Sequence, residues 1–128
     1  MKMQTHYERI GGKEGVRRLV DRFYDLMDSK AEVAGIRKMH AKSLEGSREK
    51  LFMFLSGWLG GEQLFVEKFG HPKLRQRHNP FAIGESERDQ WMACMTQAML
   101  DVGVEEGLRE ELKTAFWKTA DFMRNKEG

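Results

Sequence analysis

The sequence predicts an all-α fold, and three observations carry that expectation. Apolar residues recur at helical spacing in four separate segments. No segment alternates apolar and polar residues for long enough to build a strand. Both prolines fall outside the four stripes, and the pairs Gly11-Gly12 and Gly60-Gly61 stand at helix ends, where positive backbone angles allow a tight exit. A length of 128 residues fits a single domain, 1–128. A chain of that size buries roughly two-thirds of its unfolded surface, enough for a sizeable core.

In chain order, the first stripe comprises Val16, Leu19, Val20, Phe23 and Met27, with Tyr24 on the same side as Val20 and Met27. The stretch from Ser29 to Gly46 is less periodic and predicts short helical turns or loop. Leu51, Phe54, Leu55 and Trp58 form the second stripe, and Ser47 lies one turn ahead of Leu51. Next comes "KLRQRHNPFAIG", residues 73–84, where Pro80 disfavours helical geometry at Asn79 and leaves His78 on or beside a last helical turn. Ser86, with Asp89 three residues on, resembles a helix start just ahead of the third stripe, Trp91, Met95, Ala98, Met99 and Val102. Leu108, Leu112, Ala115, Phe116, Thr119, Ala120 and Met123 form the fourth. Taken separately, these residues, Trp58, Trp117 and the nine methionines read as core packing.

Composition narrows the function. Charged residues make up 33% of the chain, yet the net charge is only +2. Nucleic-acid binding calls for a concentrated basic stripe, whereas "KLRQR" is short and local. No stretch approaches the length of a membrane-spanning helix, and the N-terminus lacks the apolar core of a signal peptide, so the expectation is a cytoplasmic chain without a membrane partner. Cys94 is the single cysteine, which excludes an intramolecular disulfide and a cysteine-rich metal cage. With no base nearby to activate a thiol, it reads as a small buried apolar residue. "EEGLREELK" and "RNKEG" read as solvated helix faces.

His78 stands apart. Two plain readings exist for it: a cation at a helix C-terminus, favourable by about 0.3–1 kcal/mol, or a core histidine satisfied by a backbone carbonyl. Its neighbours point elsewhere, because Arg75 and Arg77 precede it and Phe81 and Ile83 follow. A histidine at a helix end, with guanidinium groups before it and apolar residues after it, suits a large flat cofactor carrying carboxylates at one edge. Haem is such a cofactor. An iron-bound imidazole donates its second nitrogen to a fixed acceptor, and the carbonyl of Leu74, four residues earlier, is freed for that bond where the helix ends.

The runs "YERIGG" (7–12), "FYDLM" (23–27), "REKLFMFLSGWLGG" (48–61), "FGHPKLRQRHNPFAIG" (69–84) and "ERDQWMACM" (87–95), in that order, resemble the truncated haemoglobins, specifically their second or O group. The resemblance spans Tyr7 to Met123 and implies a shortened globin in which two helix pairs sandwich one haem b per chain. The segment before the proximal histidine, a longer helix in the wider globins, is implied to be mostly loop. On this resemblance His78 matches the proximal iron ligand, Tyr24 the distal tyrosine, and Trp91 the tryptophan characteristic of groups two and three. Ser47 and Leu51 match the distal-helix positions that gate entry and cover the iron. His40 falls where the family packs Phe, Tyr or His over the haem, although Ala41 stands where proline is common. Arg77 and Lys50 match propionate-pairing cations, and Phe54, Phe81 and Ile83 apolar porphyrin contacts.

A phenol, an indole N–H and an imidazole in one pocket would hold a partly charged oxygen ligand tightly. That suits redox chemistry on oxygen, nitric oxide or peroxide, such as dioxygenase or peroxidase-like activity, better than bulk oxygen transport. The partners implied are dioxygen and other small diatomic ligands and a reductase, with the chain a monomer or homodimer. A haem-based gas sensor or storage protein, and a cofactor-free helical interaction module in which Tyr24, Trp91 and His78 are core or cap, are the alternatives.

Overall fold

A computed structural model describes residues 4–71, 73–78 and 81–126, without the side chains of Arg75 and Arg77. Pro80 and Asn79, on which the expected helix stop rests, lie outside the described residues. The elements are α1 (His6–Ile10), α2 (Gly12–Ser29), α3 (Ala34–Lys38, preceded by a 3₁₀ turn at Ala31–Val33), α4 (Glu45–Trp58), α5 (Leu64–Phe69), α6 (Leu74–His78), α7 (Glu85–Asp101) and α8 (Glu106–Phe122). No strand occurs among the described residues. None of their helices is long and apolar enough to cross a membrane.

Helix α2 is the spine. Its stripe is fully realised, with Val16, Leu19, Val20, Phe23, Tyr24 and Met27 all buried. It packs on α4 and on α7, and α7 packs on α8, so the pairs α2–α4 and α7–α8 form two layers. Full burial of a Leu or Phe side chain contributes roughly 1.5–3 kcal/mol each, and the shared core of the two pairs includes Phe23, Leu55, Met95, Met99, Leu108 and Leu112. Cys94 is buried there as expected; its thiol donates to the Phe23 carbonyl at 3.1 Å, and burial pushes its pKa up to about 11.

Several expectations shift in the structure. Ser86 does not cap α7. Gly84 is the N-cap, and the Glu87 carboxylate accepts its N–H at 2.7 Å, while the Ser86 hydroxyl receives Gln90 Nε2 at 2.9 Å. The segment before His78 is not mostly loop, because Leu74–His78 closes one short helix of its own. Trp117 is not core: it is 45% exposed, with the Arg88 guanidinium 5.1 Å from its ring centre. On α4 the buried residues are Phe52, Leu55 and Ser56, while Leu51, Phe54 and Trp58 are only partly buried. That helix carries two adjacent apolar faces, one buried in the core and one packed at its edge, where Leu51 and Phe54 also line a cavity.

The glycine pairs also divide. Gly11 and Gly12 both have positive φ, at 106° and 65°, and Gly60 has φ 105°. Gly61 is glycine for a different reason: a Cβ there would lie 2.6 Å from the Tyr7 ring, whose backbone N–H bonds Leu59 O at 2.9 Å. Gly61→Ala is therefore expected to destabilise the fold by about 1–3 kcal/mol through overpacking, read as a lower urea midpoint. An unchanged midpoint would mean that the Tyr7 ring moves aside freely.

Candidate functional site

A cavity of about 580 Å³ opens between the two helix pairs, within the roughly 300–1,000 Å³ common for small-molecule sites. Tyr24, His40, Ser47, Lys50, Leu51, Phe54, His78, Phe81, Ile83 and Trp91 all line it. Ten residues chosen from the sequence, spread over more than sixty positions, thus meet around one space. The Arg77 side chain lies outside the described residues.

On one wall, α6 ends at His78. Its ring is part-buried, and Nδ1 bonds the Leu74 carbonyl at 2.7 Å. A carbonyl accepts only, so Nδ1 carries the proton and Nε2 is left with a lone pair for a metal ion. His71 does not line the cavity; its exposed ring accepts the Lys73 N–H at 3.2 Å.

In the same cavity, Tyr24 is 5% exposed, and its hydroxyl makes no hydrogen bond with the described residues. Burial, only partly offset by the Arg48 charge, raises its pKa well above the usual phenol range, so the hydroxyl keeps its proton. The hydroxyl opens onto the cavity, where a ligand can accept its hydrogen bond. The Trp91 indole N–H is likewise without a partner among the described residues, while its ring packs on Phe23 at 5.2 Å and Phe116 at 5.5 Å. His40 meets the Tyr24 ring edge-on at 5.9 Å, with its Nδ1 on the Ile36 carbonyl at 2.8 Å. No hydrogen bond joins Tyr24, Trp91 and His40 to one another among the described residues.

Sequence reasoning missed the groups that hold these side chains in place. Arg48 bonds the Asp21 carbonyl at 3.1 Å and the Asp25 carboxylate at 2.8 Å, tying the start of α4, and with it Ser47 and Leu51, to α2. Arg37 gathers the His40 loop, donating to Ala41 O at 2.9 Å, Lys42 O at 2.7 Å and Asp28 at 2.9 Å. Gln90, beside Trp91, accepts the Ile36 N–H at 3.1 Å. Part of the fourth stripe was also misread as core alone, because Phe116, Thr119, Ala120 and Met123 form a cavity wall.

The cations at the mouth differ in kind. Arg88 lines the cavity but is engaged by Asp121 at 2.9 Å and Asp89 at 3.0 Å. Lys50 is exposed and forms no ion pair among the described residues; its ammonium lies 6.0 Å from the Phe69 ring centre. An exposed cation, an apolar lining, one imidazole with an open nitrogen and two unpaired donors around the same cavity form a donor set that fits haem.

The chain is similar to known proteins along almost its whole length. A family model described as bacterial-like globin matches residues 5–125. A group 2 truncated hemoglobin of Bacillus subtilis (strain 168), YjbI, is 39% identical over 119 residues, covering 93% of this chain and 87% of its own. Among solved structures, the cold-adapted truncated hemoglobin of the Antarctic marine bacterium Pseudoalteromonas haloplanktis TAC125 superposes with a TM-score of 0.93 at 44% identity, covering 96% of this chain and 99% of that one. The group II 2-on-2 hemoglobin of the plant pathogen Agrobacterium tumefaciens gives 0.94 at 41% identity, over 100% and 98%. With two helix pairs around one cavity and these relatives along almost its whole length, the chain belongs to the group II truncated, 2-on-2 haemoglobins of the bacterial-like globin family.

Proposed function

We propose that this chain is a single-domain, cytoplasmic haem protein that binds one haem b through His78 and uses it for redox chemistry on oxygen, nitric oxide or peroxide rather than for bulk oxygen transport. Membership of the globin family supports binding of haem, and with it oxygen and other small gas ligands. The observation that carries the finer reading is the pair of unpaired donors, Tyr24 and Trp91, lining the same cavity as His78.

Haem, when bound, supplies an iron centre that takes a diatomic ligand and exchanges electrons with it. The protein residues do the rest. His78 supplies Nε2, and the Leu74 carbonyl at 2.7 Å makes that nitrogen more basic. Tyr24 and Trp91 donate toward the ligand, with His40 beside Tyr24 as a third polar group. Such donors stabilise charge that develops on oxygen during reaction, and the same bonds slow release, which disfavours transport. Ser47 and Leu51 would gate the entry, Phe54, Phe81 and Ile83 would give apolar contact to the porphyrin, and Lys50 and Arg77 would supply the cations for its propionates. Nitric oxide dioxygenation would consume one electron per turnover, to return the ferric iron to the ferrous state, and peroxide reduction two, so the partner required is a reductase that delivers them singly or in pairs.

Titrating the haem-free chain with hemin tests the reading. The expected result is an intense Soret band that saturates at one equivalent and, after reduction with dithionite, its removal and exposure to air, an oxygenated ferrous form that consumes nitric oxide stoichiometrically and yields nitrate. A chain that takes up no haem at one equivalent would refute the binding site. An oxygenated form that ignores both nitric oxide and peroxide would refute the redox use.

A further inference from the structure

Helix α6 has five residues, far below the ~12–15 at which an isolated helix begins to hold itself, and it is not among the helix pairs that pack extensively. Something else must keep His78 in place. Among the described residues, the hydrogen bonds that reach the backbone of His78, Phe81 and Ile83 from beyond residues 74–84 come from the C-terminal tail. Asn125 supplies most of them. Its side-chain Oδ1 accepts the Ile83 N–H at 2.9 Å, and its Nδ2 donates to Phe81 O at 2.7 Å and to His78 O at 3.4 Å. Its own N–H donates to Ile83 O at 2.8 Å, and the Lys126 N–H to the same carbonyl at 3.1 Å.

The pattern is specific to an amide. One end of the Asn125 side chain faces an N–H and the other faces two carbonyls, so an acid would set oxygen against oxygen and an alanine would reach neither. The Phe81 N–H also donates to His78 O at 3.0 Å. Asn125 therefore grips the backbone at His78, which bears the imidazole, and at Phe81 and Ile83 beyond it.

We propose that Asn125 is a positioning residue for His78, a latch through which the C-terminal tail sets how firmly the imidazole is presented to haem. The inference rests on His78 being the proximal ligand. Alanine and aspartate at 125 keep the N–H that, with that of Lys126, bonds Ile83 O, so these substitutions test the side-chain grip rather than the docking of the tail.

The experiment compares the full-length, haem-loaded protein with Asn125→Ala and Asn125→Asp. Haem transfer to an acceptor globin is expected to run about tenfold faster in both, as for the loss of one or two neutral hydrogen bonds. The iron–histidine stretching band of the ferrous protein is expected to fall in frequency and broaden as the Nδ1 bond to Leu74 O loosens. In the haem-free chain, hydrogen exchange at the Ile83 amide should accelerate by a similar factor, a readout that does not depend on haem. Should Asn125→Ala fail to fold, the near-isosteric Asn125→Asp carries the same readouts. Wild-type haem transfer and an unchanged iron–histidine band in the folded variants would overturn the latch while leaving the haem site intact. A wild type lacking any imidazole–iron band would overturn the latch and the proximal assignment together.

Discussion

Replacing His78 by alanine is expected to abolish stable haem retention, so that the purified variant lacks the Soret band or carries only a loosely held haem ligated by added imidazole. Losing an outer-shell partner of a metal ligand typically costs about 10–100-fold in affinity, and losing the ligand itself should cost more. No other histidine is placed to substitute. His71 is exposed and away from the cavity, and His40 stands on the Tyr24 side with its Nδ1 on Ile36 O. A His78→Ala variant that kept a normal proximal-imidazole resonance Raman signature would assign the iron to another residue.

The second large effect concerns the two donors that line the same cavity. A hydrogen bond to a partly charged group contributes about 1.5–3 kcal/mol, so removing one should speed oxygen release by roughly ten- to a hundredfold. Tyr24→Phe and Trp91→Phe each delete a donor, and the stopped-flow oxygen dissociation rate of the ferrous protein reads the result. The double variant is expected to be non-additive. With no direct bond between Tyr24 and Trp91 among the described residues, the coupling must run through the shared ligand and through Phe23, which packs on Tyr24 at 5.0 Å and on Trp91 at 5.2 Å. If Trp91→Phe leaves the rate within about twofold of wild type, well short of what one hydrogen bond supplies, the indole is a packing residue only. Tyr24→Phe carries a further expectation: because the raised pKa keeps the hydroxyl protonated, the wild-type rate should not vary with pH through ionisation of Tyr24 at neutral pH.

How much of this was readable in advance follows from how each feature is encoded. The long helices α2, α7 and α8 were legible because a buried face must recur every three to four residues. Neither α1 nor α5 was read as a helix, since five or six residues hold too little periodicity. For α1 the defining signal is the reciprocal cap between Thr5 and Glu8, with both bonds at 3.1 Å. The bond from His78 to Leu74 was legible from the residues alone, because a histidine ending a helix has a free carbonyl four positions back. The other pocket residues were legible through the family resemblance, and the cavity brings them together. Leu51, Phe54, Phe116 and Met123 were ambiguous for a physical reason: a wall facing a porphyrin-sized space and a wall facing a core use the same apolar side chains. Arg37 and Arg48 left no mark, and Asn125 was misread: "RNKEG" reads as a solvated helix face, whereas α8 ends at Phe122 and Asn125 bonds the backbone of Phe81 and Ile83. Each works through polar bonds to backbone or carboxylates that only the folded chain brings near.

The double face of α4 bears on how such a protein can change over time. Phe52 and Leu55 on one side are locked into the interior, while Leu51 and Phe54 on the adjacent side shape the cavity. Packed interiors compress little, so a helix displaced by a changed core residue carries its other face with it as a rigid body. Drift at positions that never touch a ligand will therefore retune gas affinity, and selection for thermostability at Phe52 or Leu55 will act on ligand kinetics as well. Adaptation to temperature and adaptation to a chemical task are, along this one helix, a single evolutionary variable.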